Sequence, residues 1–185
     1  MADLACTPGQ TVGPFFGLGL PCDSDLVGDG CPQGVRLHGR VYDGAGVGVP
    51  DALVELWQPD RAGRISRQAG ALRRDDTVFT GWGRSATDAA GHYGFTTLTP
   101  GSARPGRLPF FAITVFARGL LNRLFTRAYL PHDDPDADPL LARIDAARQS
   151  TLLCVPESGG PGYRFDIHLQ GPRETVFLAY RNDGR

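Results

Sequence analysis

Lysine is absent from this chain of 185 residues: its 19 basic side chains are all arginines. G+C-rich codon usage produces that bias, and by itself it carries no functional reading. A large net charge is also missing. At -1 the chain offers no electrostatic case for a nucleic-acid or membrane-surface partner. No apolar run approaches the ~20 residues of a membrane span. No basic segment followed by an apolar one opens the chain, so no signal peptide is expected. Cys6, Cys22, Cys31 and Cys154 form no CxxC or other close metal-type spacing. Two bridges are conceivable but a chain this long does not need them, and free thiols in a reducing cytoplasm are expected. His38, His92, His132 and His168 include no pair at metal-ligand spacing. The three that fall in predicted strands, His38, His92 and His168, read as structural residues rather than ligands. There is no GxSxG, no P-loop and no GxGxxG opening a helix. Carboxylates cluster only in Asp75-Asp76 and in the 133–138 run, which read as solvated loops. Motifs alone therefore supply no self-contained active site.

What is abundant is turn chemistry. The 25 glycines and 15 prolines fall between short apolar runs, which favours one all-β domain over a helix bundle. The length suffices for one domain with a full core. Residues 1–34 carry too many glycines and prolines for a regular element. Val12, Phe15, Phe16, Leu18 and Leu20 are too apolar for a free tail. An extended arm laid on its own barrel or on another chain is expected, and docking on a partner is preferred. From 35 onwards the domain proper begins. Strands are predicted over 35–43, 52–57, 79–85 and 92–98, with 87–91 as the turn of a hairpin joining the last two. Residues 138–148, DPLLARIDAAR, read as the one helix, with Leu140, Leu141 and Ile144 on one face. Short strands at 151–155, 163–169 and 175–178 complete a β-sandwich or open barrel.

The stretch 108–130, LPFFAITVFARGLLNRLFTRAYL, organises the rest. Its first half is an almost continuous apolar run, predicting a strand buried on both faces. After the Arg118-Gly119 turn the pattern alternates. Leu124, Thr126, Ala128 and Leu130 share one face; Arg123, Phe125, Arg127 and Tyr129 share the other. An arginine fork held by aromatic rings suits a carboxylate or flat anion. The same pattern also describes an ordinary half-exposed strand.

Five segments in order, TPGQTVGPFF (7–16), HGRVYDGAGVGVPDALVELWQPD (38–60), FTGWGRSATDAAGHYGFTTLTPG (79–101), PFFAITVFARGLLNRLFTRAYL (109–130) and YRFDIHLQGPRETVFLAY (163–180), resemble the intradiol ring-cleavage dioxygenases. The resemblance implies a transthyretin-like β-sandwich and a hetero-oligomer of homologous alpha and beta chains. It implies O2-dependent cleavage of protocatechuate between its hydroxyls, giving 3-carboxy-cis,cis-muconate in aromatic catabolism. Catalytic chains of this family hold a non-haem Fe(III) with two tyrosines and two histidines. Here the loop expected to carry one tyrosine reads PGSARPGR, and Phe110 and Ala112 take the places of a His-x-His pair. Tyr129 alone matches a ligand position, as a vestigial one. One phenolate does not hold an ion that takes about four protein ligands. The resemblance therefore implies an alpha-type chain without metal or catalytic residues of its own, the Fe(III) being held by the beta partner. It also implies that Thr11, Gly13, Pro14 and Arg127 face the partner's substrate pocket. A Gly-Pro corner lets backbone approach a ring closely, though the same pair makes an ordinary turn. The rival reading is a transthyretin-like binding or scaffolding module with no enzymatic role.

Overall fold

The computed structural model describes residues 11, 13, 23–28, 31–66, 79–134 and 137–179. Its nine strands are β1 (Val35–Tyr42), β2 (Leu53–Trp57), β3 (Trp82–Ala86), β4 (His92–Thr97), β5 (Phe110–Phe116), β6 (Leu124–Tyr129), β7 (Val155–Pro156), β8 (Gly162–Arg164) and β9 (Ile167–His168). They form two sheets. One runs β4-β1-β8-β7, with β9 continuing beside β1; the other runs β3-β2-β5-β6. The alternation in β1 works as its sequence requires: Val35, Leu37, Gly39 and Val41 are buried. Leu37 and Val41 meet Val54, Leu56, Phe111, Ile113 and Val115 of the second sheet in one core. This is a β-sandwich, one of the two all-β architectures that the strand pattern left open and the one that the family resemblance implied.

Two local predictions are corrected. The turn at 87–91 forms, with Asp88 Oδ1 accepting the Ala90 and His92 N–H groups. Yet β3 and β4 are not a hairpin. β3 pairs with β2, and β4 pairs with β1 in the other sheet. Thr87 decides this: its N–H donates to the Ala52 carbonyl and its hydroxyl to the Val49 carbonyl. The turn therefore carries the chain from one sheet to the other. The single helix over 138–148 is replaced by 3-10 turns at Leu141–Arg143 and Ser150–Leu152 around a four-residue α-helix, Ala146–Gln149. Ile144 is extended, and Asp145 restarts the helix by accepting the Ala147 N–H. An aspartate competing for backbone donors caps a helix more readily than it sits inside one. Leu141 is nonetheless buried, with Leu140 and Ile144 packed beside it, as their spacing predicts.

β5 also differs from its expectation. Phe111, Ile113 and Val115 are fully in the core, but Phe110, Ala112 and Phe116 on the outer face are only half-buried. The segment 137–152 covers that face at the Phe110 end alone, making a second small core of Tyr129, Leu141 and Leu152. The strand predicted at 151–155 is largely a 3-10 turn leading to the short β7, the one at 163–169 divides into β8 and β9, and Leu178 makes a single bridge to Phe125. Between β8 and β9 the chain crosses over Gly39, where an added Cβ would lie 1.9 Å from the Phe165 carbonyl oxygen. Most of the proposed arm lies outside the described residues, Pro14 included. Residues 23–28 pack on the sandwich itself, with the Leu26 N–H donating to Thr96 O and its side chain buried.

Candidate functional site

The outer face of the β5–β6 pair is where the chemistry-bearing residues meet. Register places Ala112 opposite Arg127 and Phe110 opposite Tyr129. The Arg127 guanidinium lies 4.2 Å over the Phe110 ring, a cation–π contact, and its Nη1 donates to the Tyr129 hydroxyl at 3.0 Å. Tyr129 is fully buried, its ring 5.3 Å from that of Phe110. Its hydroxyl donates to Asp138 Oδ1 at 3.3 Å.

Asp138 corrects a further expectation. It ends the acidic 133–138 run, yet it is fully buried. Its carboxylate accepts the Leu140 N–H at 2.8 Å and the Leu108 N–H at 3.3 Å, and Arg107 stands 3.7 Å away. A buried carboxylate needs such donors. Asp138 thereby ties the loop before β5, the Tyr129 hydroxyl and the 137–152 segment together. Burial raises the Tyr129 phenol above its ordinary pKa, and Arg127 beside it opposes that shift.

The remaining predicted residues are spread out. The Gly119 N–H donates to Thr11 Oγ1 at 2.7 Å, which places Thr11 at the turn between β5 and β6. Arg127 stands near the other end of that hairpin, so this chain does not bring the two together. Gly13 is exposed, and a Cβ built on it would meet no described atom within 4 Å. His38 contacts Glu157, His92 contacts Asp88 and Arg40, and His168 stacks on Tyr42. Among the described residues no three His, Cys, Asp or Glu side chains gather as a metal site.

The sequence profile of a family described as Dioxygenase matches residues 12–108. The protocatechuate 3,4-dioxygenase alpha chain of Burkholderia cepacia is 37% identical over 203 residues, covering 96% of this chain and 99% of that protein. The chain belongs to the intradiol ring-cleaving dioxygenase family. The beta chain of the Burkholderia cepacia enzyme is 35% identical over 178 residues, with 84% of this chain and 74% of that protein covered. Among solved structures, the dioxygenase domain of a carbohydrate-binding fusion protein from Streptomyces sp. SirexAA-E superposes with a TM-score of 0.62. It is 28% identical and covers 89% of this chain and 98% of that one.

Intradiol dioxygenases are non-haem iron enzymes. The residues around Tyr129 do not fit such a centre. The one phenol is already shared between a guanidinium and a carboxylate. The carboxylate is committed to backbone N–H groups. The adjoining positions are Phe110 and Ala112, and a fixed arginine cation 3.0 Å from the phenol oxygen opposes a second cation there.

Proposed function

We propose that this chain is the non-iron alpha subunit of a hetero-oligomeric protocatechuate 3,4-dioxygenase, and that it completes the substrate pocket of a homologous beta subunit that holds the Fe(III). One observation carries the reading. The sandwich and sequence of an alpha chain are retained over nearly the whole length, while the position of the metal centre holds the closed set Arg127–Tyr129–Asp138 on Phe110. The arm residues Thr11, Gly13 and Pro14 reach the partner's pocket. The open space around Gly13 supports this, because nothing described on this chain needs the glycine's small size there. Arg127 contributes a charge for the substrate carboxylate. Among the described residues only its Nη1 is engaged as a donor, which leaves donors of the fork for an anion. The subunit works in a soluble complex; no described helix is long and apolar enough to cross a membrane.

The test is iron content and protocatechuate-dependent oxygen uptake, on the chain alone and co-expressed with the beta partner. The expected result is an iron-free, inactive chain and an iron-bearing, active complex. Stoichiometric iron in the lone chain would overturn the reading, and inactivity of both samples would favour a binding module. In the active complex, Arg127→Ala is expected to lower kcat/KM about tenfold or more, the worth of a charge-assisted contact, with subunit assembly intact by gel filtration.

A further inference from the structure

The Phe110–Arg127 stack borders a cavity of ≈ 440 Å³, within the size range of small-ligand pockets. Four arginines from three segments line it. Arg104 and Arg107 come from the loop before β5, Arg127 from β6, and Arg143 from the 3-10 turn that covers the hairpin. Phe110 and Leu140 supply an apolar wall, and the Phe110–Arg127 stack makes that wall flat. Among the described residues Asp138 is the one carboxylate paired with any of these four cations, and its partner is Arg107. Arg104 and Arg143 have no acidic partner among the described residues, and both are exposed at the mouth. So many unneutralised guanidinium groups repel one another and concentrate an anion. Forks spaced around a flat apolar wall match a ligand that is itself flat and carries carboxylates at its edge. A compact tetrahedral anion would leave the Phe110 and Leu140 surface unused.

We propose that this cavity is a binding site for a planar polycarboxylate, an aromatic or conjugated acid with two or three carboxylates, held on this chain itself. Binding here does not depend on the subunit reading. If that reading holds, the ring-opened product, a conjugated tricarboxylate, belongs to this ligand class, and the site lets the non-metal chain sense what its partner releases.

The experiment is calorimetric titration of the full-length chain at fixed ionic strength with benzene-1,3,5-tricarboxylate, benzoate and inorganic phosphate. One-to-one binding of the tricarboxylate is expected, about tenfold or more tighter than either of the other two. Arg104→Gln and Arg143→Gln lie away from Asp138 and leave the fold intact by circular dichroism. Each is expected to weaken the tricarboxylate by about three- to tenfold, roughly one lost charge-assisted contact. Absence of saturable binding, equal affinity for phosphate, or unchanged affinity in both variants would overturn the proposal. The double variant in the active complex separates the two ideas. Loss of tricarboxylate binding with oxygen uptake retained supports a site that shares Arg127 with the partner's pocket but is not needed for turnover, whereas joint loss of both assigns these arginines to that pocket and overturns it.

Discussion

Tyr93 and Tyr129 are both withdrawn from solvent, and they differ in what receives their hydroxyls. Tyr93, on β4 in the main core, donates to the Phe165 carbonyl at 2.5 Å. Its register partner is Gly39, the glycine over which the Phe165 carbonyl passes. That tyrosine is a neutral pin between two strands and a crossing segment. Tyr129 instead sits between a guanidinium and a carboxylate. A sandwich needs the first arrangement for its geometry. The second joins a guanidinium, a phenol and a carboxylate on one sheet face, and the carboxylate also holds the backbone of two neighbouring segments.

The sharpest way to break the Tyr93 side is Gly39→Ala. Its Cβ would fall 1.9 Å from the Phe165 oxygen and 2.6 Å from its carbon, both backbone atoms. The crossing segment must move, separating that oxygen from the Tyr93 hydroxyl as well. A loss of about 3 kcal/mol or more is expected, read as the urea midpoint or as loss of soluble protein. Tyr93→Phe is milder. It strands a buried carbonyl and is expected to cost about 1–2 kcal/mol. Tyr129→Phe should cost less, about 0.5–1 kcal/mol, because Asp138 keeps its two backbone donors. Equal losses for the two tyrosines would erase the distinction between pin and charged set.

Acidity and alkalinity sharpen the comparison further. Burial raises the Tyr93 phenol well above its ordinary value of about 10, so the folded chain keeps a proton that the unfolded chain releases above that pH. The resulting stability is full below about pH 10 and is lost as the pH rises further. Denaturation midpoints from pH 8 upwards should therefore fall less steeply in Tyr93→Phe than in the parent chain. The smallest effect is expected at His168, whose pKa burial lowers, with help from Arg173. Its contribution is present above about pH 6.5 and is lost as the pH falls through the lowered value. His168→Phe preserves the stack on Tyr42 and should flatten the stability curve as the pH falls below about 6.5.

Much of this was legible from residue order. Alternation marked β1, β2 and β6, and the Arg127–Tyr129 contact follows from their i, i+2 placement on one strand face. The sheet assignment of β3 and β4 was not legible. The turn DAAG is the same whether its strands pair or part, and the decision rests with Thr87 reaching the carbonyls of Val49 and Ala52. The burial of Asp138 was hidden for a related reason. Asp133 and Asp134 of the same run are exposed, while the groups that draw Asp138 inward, Tyr129 and the Leu108 N–H, arrive by folding. The cavity arginines come from three segments, and nothing in the order of PGSARPGR shows that Arg104 and Arg107 will face Arg127 and Arg143.

The crossing over Gly39 also governs the order in which this molecule can be made. β1 pairs antiparallel with β4, but its other edge waits for β8 and β9. The Arg40 N–H reaches its acceptor Asp166 across 126 residues. Loops of that length close late, and parallel pairing without local help is slow. A chain emerging from the ribosome therefore carries β1 with one open edge until nearly all of the sequence has been synthesised. During that interval the nascent sheet can accept a foreign strand. Completion of this sheet follows the arrival of β8 and β9, which makes the segment crossing Gly39 its timer.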